Sequence, residues 1–338
     1  MNIDIQAEAI TPRRQTFSHI ARRFGVDKPA SRYEEATFDV QPVTNFHYRP
    51  TWDPERELFD PRRTAVEMAD WYSFRDPRQF YYATYNINRA AMQQSFDDAV
   101  SFVDKRDLIK SVDADWLKVF AGYLLPMRHV EWAANMNCQL IADWGYGTQI
   151  TSAASFCGTD RLGIAQIISR IGLVVGAGTD EALVAAKAEW MEAPEWQPMR
   201  RLAEDLLVVR DWFEVFVAQL VVLDGYVYPL VTQAFDRAGA AHNGAPLSMM
   251  TGFLADWYAD NSRWTDAVIK TAAAESGGNR KVLKDWFDRW TRRAEEAVRP
   301  IADRVLGDRG LLAVAEAAAD LRKRMIGLGA LGEKELAA

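Results

Sequence analysis

The sequence predicts an all-α protein made of long packed helices. Three observations carry this reading. Leu202, Leu206, Val209, Phe213, Phe216, Leu220, Leu223 and Val227 recur at steps of four and three, which puts an apolar seam on one helix face. Between residues 215 and 223 the other faces are apolar too (Val217, Val221, Val222), so this helix is expected to be enclosed by others. Alternating apolar–polar runs that would make strands are nearly absent.

The first 77 residues read differently. Seven of the 13 prolines lie there, and only one of the 20 glycines, Gly25, precedes Gly122. Proline stiffens a chain, so the segment is expected to be extended and semi-rigid. It is also rich in aromatic residues, including Tyr33, Trp52, Trp71 and Phe74, which are costly to leave in water. Residues 1–77 are therefore expected to form an arm that lies on the chain's own helical body or clamps a partner. Helices are expected over 80–110, 115–144, 161–175, 180–191, 202–227, 247–274, 280–306 and 311–324. Breaks are expected at the glycines and prolines near 145–147, 176–178, 194–198, 238–246 and 277–278. No short internal repeat is present, which argues against a solenoid.

Composition narrows the chemistry. Forty basic and 47 acidic side chains among 338 residues give a net charge of −7, and the arginine pairs are scattered, so nucleic acid is not expected as a partner. The most apolar stretch, 215–223, stops at Asp224, and no basic-then-apolar leader stands at the start; a cytoplasmic, non-membrane protein is expected. Two cysteines, Cys138 and Cys157, make neither a disulfide framework nor a CxxC metal site.

Most catalytic signatures are missing. There is no GxSxG turn and no Walker A loop, and Gly176-Ala-Gly178 lacks both the third glycine and a preceding strand. For a long-helix body the remaining chemistry is a carboxylate-bridged metal pair, which takes single Glu residues from two helices and Glu-x-x-His from two others. The residues three before His19, His47, His129 and His242 are Thr16, Thr44, Pro126 and Gly239, so no Glu-x-x-His exists. Glu131, Asn135 and Gln139 form a polar stripe; with Asp143, Glu214 and Asp224 they are expected to serve interhelical polar contacts. His129 is two residues from Glu131 and so faces the other way. The tryptophans at 190, 196, 212, 257, 264, 286 and 290 are expected as core and interface anchors.

Several runs resemble one family: Ile20-Ala-Arg-Arg-Phe-Gly25, Lys28-Pro-Ala-Ser-Arg-Tyr33, Thr44-Asn-Phe-His-Tyr-Arg-Pro50, Asp76-Pro-Arg-Gln-Phe-Tyr-Tyr82, Arg128-His-Val-Glu131, Asp160-Arg-Leu-Gly-Ile-Ala-Gln166, Trp196-Gln-Pro-Met-Arg200, Asp211-Trp-Phe-Glu214 and Asp224-Gly-Tyr-Val-Tyr-Pro229. Together they are similar to the β (small oxygenase) subunit of multicomponent phenol hydroxylases, within the di-iron aromatic and methane monooxygenases. The resemblance implies a ferritin-like body over 78–275 without intact di-iron ligands, the arm over 1–77, and C-terminal helices over 276–338 packing on the core. It implies a non-catalytic, scaffolding subunit in an (αβγ)₂ hydroxylase. The α subunit would carry the di-iron site, a reductase with FAD and [2Fe-2S] would deliver electrons from NADH, and an effector protein would assist. It matches Pro126-Met-Arg-His129 to one ligand run of α and Asp256-Trp-Tyr-Ala-Asp260 to another, with Glu214 near a single glutamate. No catalytic, cofactor-binding or metal residue is carried over to this chain. The rival readings are a toluene- or alkene-type β subunit, a self-sufficient di-iron enzyme with atypical ligands, and a helical interaction protein outside the oxygenases.

Overall fold

The computed structural model describes residues 18–26, 29–41 and 49–332. Among these there are helices, turns and irregular segments but no strand. Two short helices, α1 (Ser18–Phe24) and α2 (Arg32–Thr37), precede the body. The body consists of α3 (Tyr82–Lys105), α4 (Ala114–Leu124), α5 (Met127–Trp144), α6 (Thr148–Val175), α7 (Glu181–Glu192), α8 (Gln197–Leu206), α9 (Trp212–His242), α10 (Ala245–Glu275), α11 (Gly277–Leu306) and α12 (Gly310–Gly327).

The all-α expectation holds, and several boundaries moved: the 80–110 helix ends at Lys105, and the helix expected from 202 begins at Gln197. The 115–144 helix is two, because Pro126 has no N–H to continue the ladder between α4 and α5. α6 begins thirteen residues before the expected start: its first half (Ala153, Ala154, Cys157, Gly158) is small and buried against α5, with little polar contrast to mark a face. The 202–227 seam runs across a break. α8 ends at Leu206, and Asp211 starts α9 by accepting from the backbone N–H of Phe213 (2.9 Å) and Glu214 (3.1 Å). α9 then continues past Pro229 to His242.

α9 is the enclosed helix. Every residue from Phe216 to Tyr228 is buried, and all but Gly225 and Val227 are shown to be at most 2 % exposed. It is long and apolar enough to cross a membrane, but 89% of its most apolar window is buried inside the fold. Two stretches of it, Phe216–Leu223 and Leu230–Phe235, are π-helical. The second follows Pro229, whose missing N–H removes one ladder bond. α5 and α6 lie along one another, α11 runs beside α8 and α9, α12 packs on α11 and α9, and α3 packs on α10. At Gly225 of α9 a Cβ would meet the Leu321 side chain of α12 at 2.8 Å, so any larger residue would force Leu321 to shift.

The described part of the arm lies on the chain's own body, the first of the two expectations. Tyr33 donates its hydroxyl to Gln149 (2.5 Å) and accepts from the Asp76 N–H (2.8 Å). Gln41 bridges Gly145 and Gly147 at the α5–α6 turn. Farther along, Trp71 packs against Trp212 and Tyr146, and Trp52 stacks on Trp144 at 4.8 Å. The N–H groups of Ala65, Glu67 and Ala69 donate to Asp211, Asn279 and Glu275. Asp211 thus both caps α9 and receives the arm. Asp211→Ala is expected to cost about 1–2 kcal/mol in denaturant unfolding; an unchanged midpoint would contradict this role.

Candidate functional site: a buried guanidinium at the bundle centre

α5, α6, α9 and α10 converge on a polar cluster inside the core. α5 and α6 approach closely at Gly158, where a Cβ would lie 2.5 Å from the Gln139 amide nitrogen, and Asn135 donates to the Gly158 carbonyl at 2.7 Å. One turn farther along α6 comes Arg161, fully buried. Its Nη1 donates to Glu131 Oε2 of α5 and to the Tyr228 hydroxyl of α9, both at 3.0 Å. Its Nη2 donates to Asp224 of α9. Tyr228 in turn donates to Glu131 Oε1 at 2.9 Å. The guanidinium carbon sits 4.4 Å from the Trp257 ring centre of α10 and 5.6 Å from that of Tyr228.

The π-helical stretch of α9 completes the cluster. In an ordinary α-helix, residues five apart point about 140° away from each other. In the wider π turn Gln219 and Asp224 meet, and Gln219 Nε2 donates to Asp224 Oδ1 at 3.2 Å. Asn137 of α5 donates to Gln219 at 3.0 Å. Next to Arg161 in sequence, Asp160 holds a second group. It accepts from Tyr85 (2.9 Å), Trp257 Nε1 (2.9 Å) and, in bidentate fashion, Arg89, which also reaches Asp260 at 2.9 Å.

Burial pushes the Glu131 and Asp224 carboxyls up, while Arg161 opposes the shift. Burial also works against the Arg161 charge, but Asp224, Tyr228 and Glu131 outweigh it and hold the guanidinium protonated.

The fold class raises the question of a di-iron pair, and these residues do not fit one. α5 and α9 carry single carboxylates (Glu131, Asp224), but the inward residue of α6 is a cation and Ile164 stands three places on. On α10 the inward residue is Trp257, and Asp260, three places on, is paired with Arg89. Among the described residues no histidine reaches the cluster, and no group of three or more His, Cys, Asp or Glu could hold a metal ion. A guanidinium between the carboxylates repels a metal cation and uses the oxygens that would bind it.

Other residues singled out from sequence lie elsewhere. His129 is half-buried beside Trp190 (ring centres 5.5 Å apart), away from Glu131 as the spacing implied. The bundle centre on α5 is therefore at Glu131 and not in the Pro126–His129 run. Glu214 accepts from Arg289 and Trp290 of α11; Asp224 takes the central place instead. In the Glu131–Asn135–Gln139 stripe the first two are buried and Gln139 is exposed, as are Asp143 and Asp256. His242 stacks on Trp116 at 4.9 Å, His19 lies in α1, and His47 falls outside the described residues. Cys138 and Cys157 are buried free thiols. Gly176–Gly178 ends α6 in a turn. Of the seven tryptophans, Trp257 belongs to the cluster, and the other six are at most 9 % exposed. Arg161 was missed as a site residue. The signal in the sequence is a charged pair (Asp160, Arg161) flanked by apolar and small residues, at the expected start of the 161–175 helix.

A long-helix bundle with an arginine among the carboxyls at its polar centre is the class that this fold and site define. Comparison with known proteins gives its family. The methane/phenol/alkene hydroxylase family model matches residues 52–276, and the chain belongs to that family. It is 45% identical over 328 residues, 97% of this chain and 98% of the relative, to the oxygenase component DmpL of phenol 2-monooxygenase from Pseudomonas sp. (strain CF600). The structure matches a chain of the xenon-pressurized phenol hydroxylase crystal structure from Pseudomonas sp. OX1 with a TM-score of 0.91 and 44% identity, covering 96% of this chain and 98% of that one. The hydroxylase component subunit beta of the toluene-4-monooxygenase system from Ectopseudomonas mendocina is 24% identical over 299 residues, 86% of this chain and 88% of the relative.

Arg161→Met leaves two carboxyls buried without their cation and is expected to destabilise the protein by about 3–5 kcal/mol. Adding Glu131→Gln and Asp224→Asn should recover most of that loss in denaturant unfolding. A stable single variant would contradict the account. A second expectation concerns His129, whose pKa burial, with Arg128 and Lys187 nearby, lowers from 6.5 to about 4. A depressed folded-state value means that the unfolded chain binds the proton first. The stability His129 contributes is complete above pH 6.5 and falls as pH drops toward 4. His129→Gln should flatten the pH dependence in that window; an identical profile would exclude His129 as its source.

Proposed function

We propose that this chain is the non-catalytic β subunit of a multicomponent phenol hydroxylase. The hydroxylase would convert phenol or methylphenols to catechols with O₂ and NADH in the cytoplasm. The carrying observation is the Arg161 guanidinium between Glu131 and Asp224, in a chain 45% identical over nearly its full length to a phenol 2-monooxygenase oxygenase component. Such a centre holds four helices together and leaves no ligand set for iron. The chemistry then belongs to a sister α subunit with an intact di-iron site, and this chain serves as scaffold. The reading includes an (αβγ)₂ assembly, an effector protein, and a reductase with FAD and [2Fe-2S]. The 24% identity to the toluene-type subunit supports the phenol type over that alternative.

Co-expression tests it. With the α and γ subunits, this chain should co-purify at equal stoichiometry, and phenol hydroxylation by the reconstituted system should require it. Iron should scale with α and not with this chain. Full hydroxylation without this chain, or stoichiometric iron on the chain purified alone, would overturn the proposal.

A further inference from the structure

A second feature borders α9 and shares no residue with the Arg161 cluster. It is a small cavity whose lining includes Met127 and Val130 of α5, Trp196 just before α8, Val227 and Val231 of α9, and Val298 of α11. Each of these six residues is at most 7 % exposed. The cavity offers about 20 Å³ in which the centre of a water-sized sphere can move. Its position follows from the backbone. Leu230, Val231 and Phe235 belong to the π-helical turn after Pro229, and side chains on a widened turn do not nest into neighbouring helices at the regular spacing.

The wall decides what fits. It is lined almost wholly by carbon and sulfur, and the one indole nitrogen nearby, Trp196 Nε1, is occupied by the Gly122 carbonyl at 3.1 Å. A buried water needs two to four polar partners, and this wall offers at most one, the Tyr123 hydroxyl. An ion or polar molecule would lose its hydration without return. The space exceeds the roughly 10–15 Å³ that one water-sized guest requires, and apolar cavities of this kind stay dry and take up apolar guests. We propose that the cavity is a binding site for one small apolar gas molecule, of which dioxygen is the reactive example. This goes beyond the scaffold role and does not depend on it.

Xenon is the probe. Crystals of the protein in its purified assembly, pressurised with xenon, should show an anomalous peak between Val130, Trp196 and Val231. Val231→Leu fills the space and should abolish the peak, while Val231→Ala should strengthen it. Val298→Ile, which adds a single methylene to the opposite wall, provides the filling test should Val231→Leu fail to fold. No peak in the unaltered protein, an ordered water there, or an undiminished peak in the filled variant would overturn the proposal. Dioxygen is addressed by its paramagnetism. Dissolved O₂ should speed the methyl relaxation of Met127 more than that of Met325, which is equally buried but away from the cavity. Equal effects on both would overturn dioxygen binding.

Discussion

The structure depends on one buried charge. Arg161 is fully buried, so its guanidinium must be met by the protein, which partners both Nη groups and leaves Nε without a hydrogen bond. Five groups do this: the carboxyls of Glu131 and Asp224, the hydroxyl of Tyr228 and the ring faces of Trp257 and Tyr228. They come from three further helices, so meeting the charge fixes α5, α6, α9 and α10 relative to one another. A buried ion pair of this kind adds little net stability over a well-packed apolar core, but losing one partner is costly. The cluster therefore specifies a single helix register. The wider turn in α9 belongs to the same constraint, since it brings Gln219 onto the face of Asp224.

A positive charge at the centre of four helices is also what a metal pair would supply. The carboxylates on α5 and α9 face inward as they would toward a metal, while the cation is covalent and comes from α6. An arginine cannot change oxidation state or open a coordination position, so the centre keeps an electrostatic role and has no site for oxygen chemistry. This is in keeping with the scaffolding role proposed for the chain.

Much of the fold was legible in the sequence because helix periodicity depends on local spacing. The 247–274 and 280–306 helices appeared within a few residues of their ends. The 202–227 seam misled because its spacing continues across the Leu207–Arg210 break, where the Asp211 cap, a local hydrogen bond, decides the start. The first half of α6 was hidden because small residues buried against α5 give no apolar contrast. At the centre, the sequence showed that no Glu-x-x-His exists, and it placed Glu131 and His129 on different faces. It did not show that Arg161 meets Glu131 and Asp224, because thirty and sixty-three residues separate these partners and only the packing of three helices brings them together.

Diffraction data collected on the assembled hydroxylase at the iron absorption edge test the central claim most directly. The account predicts no anomalous peak between α5, α6, α9 and α10 of this chain, with continuous density for the Arg161 guanidinium joining Glu131 and Asp224. An iron peak at that position, with Arg161 turned away, would contradict it.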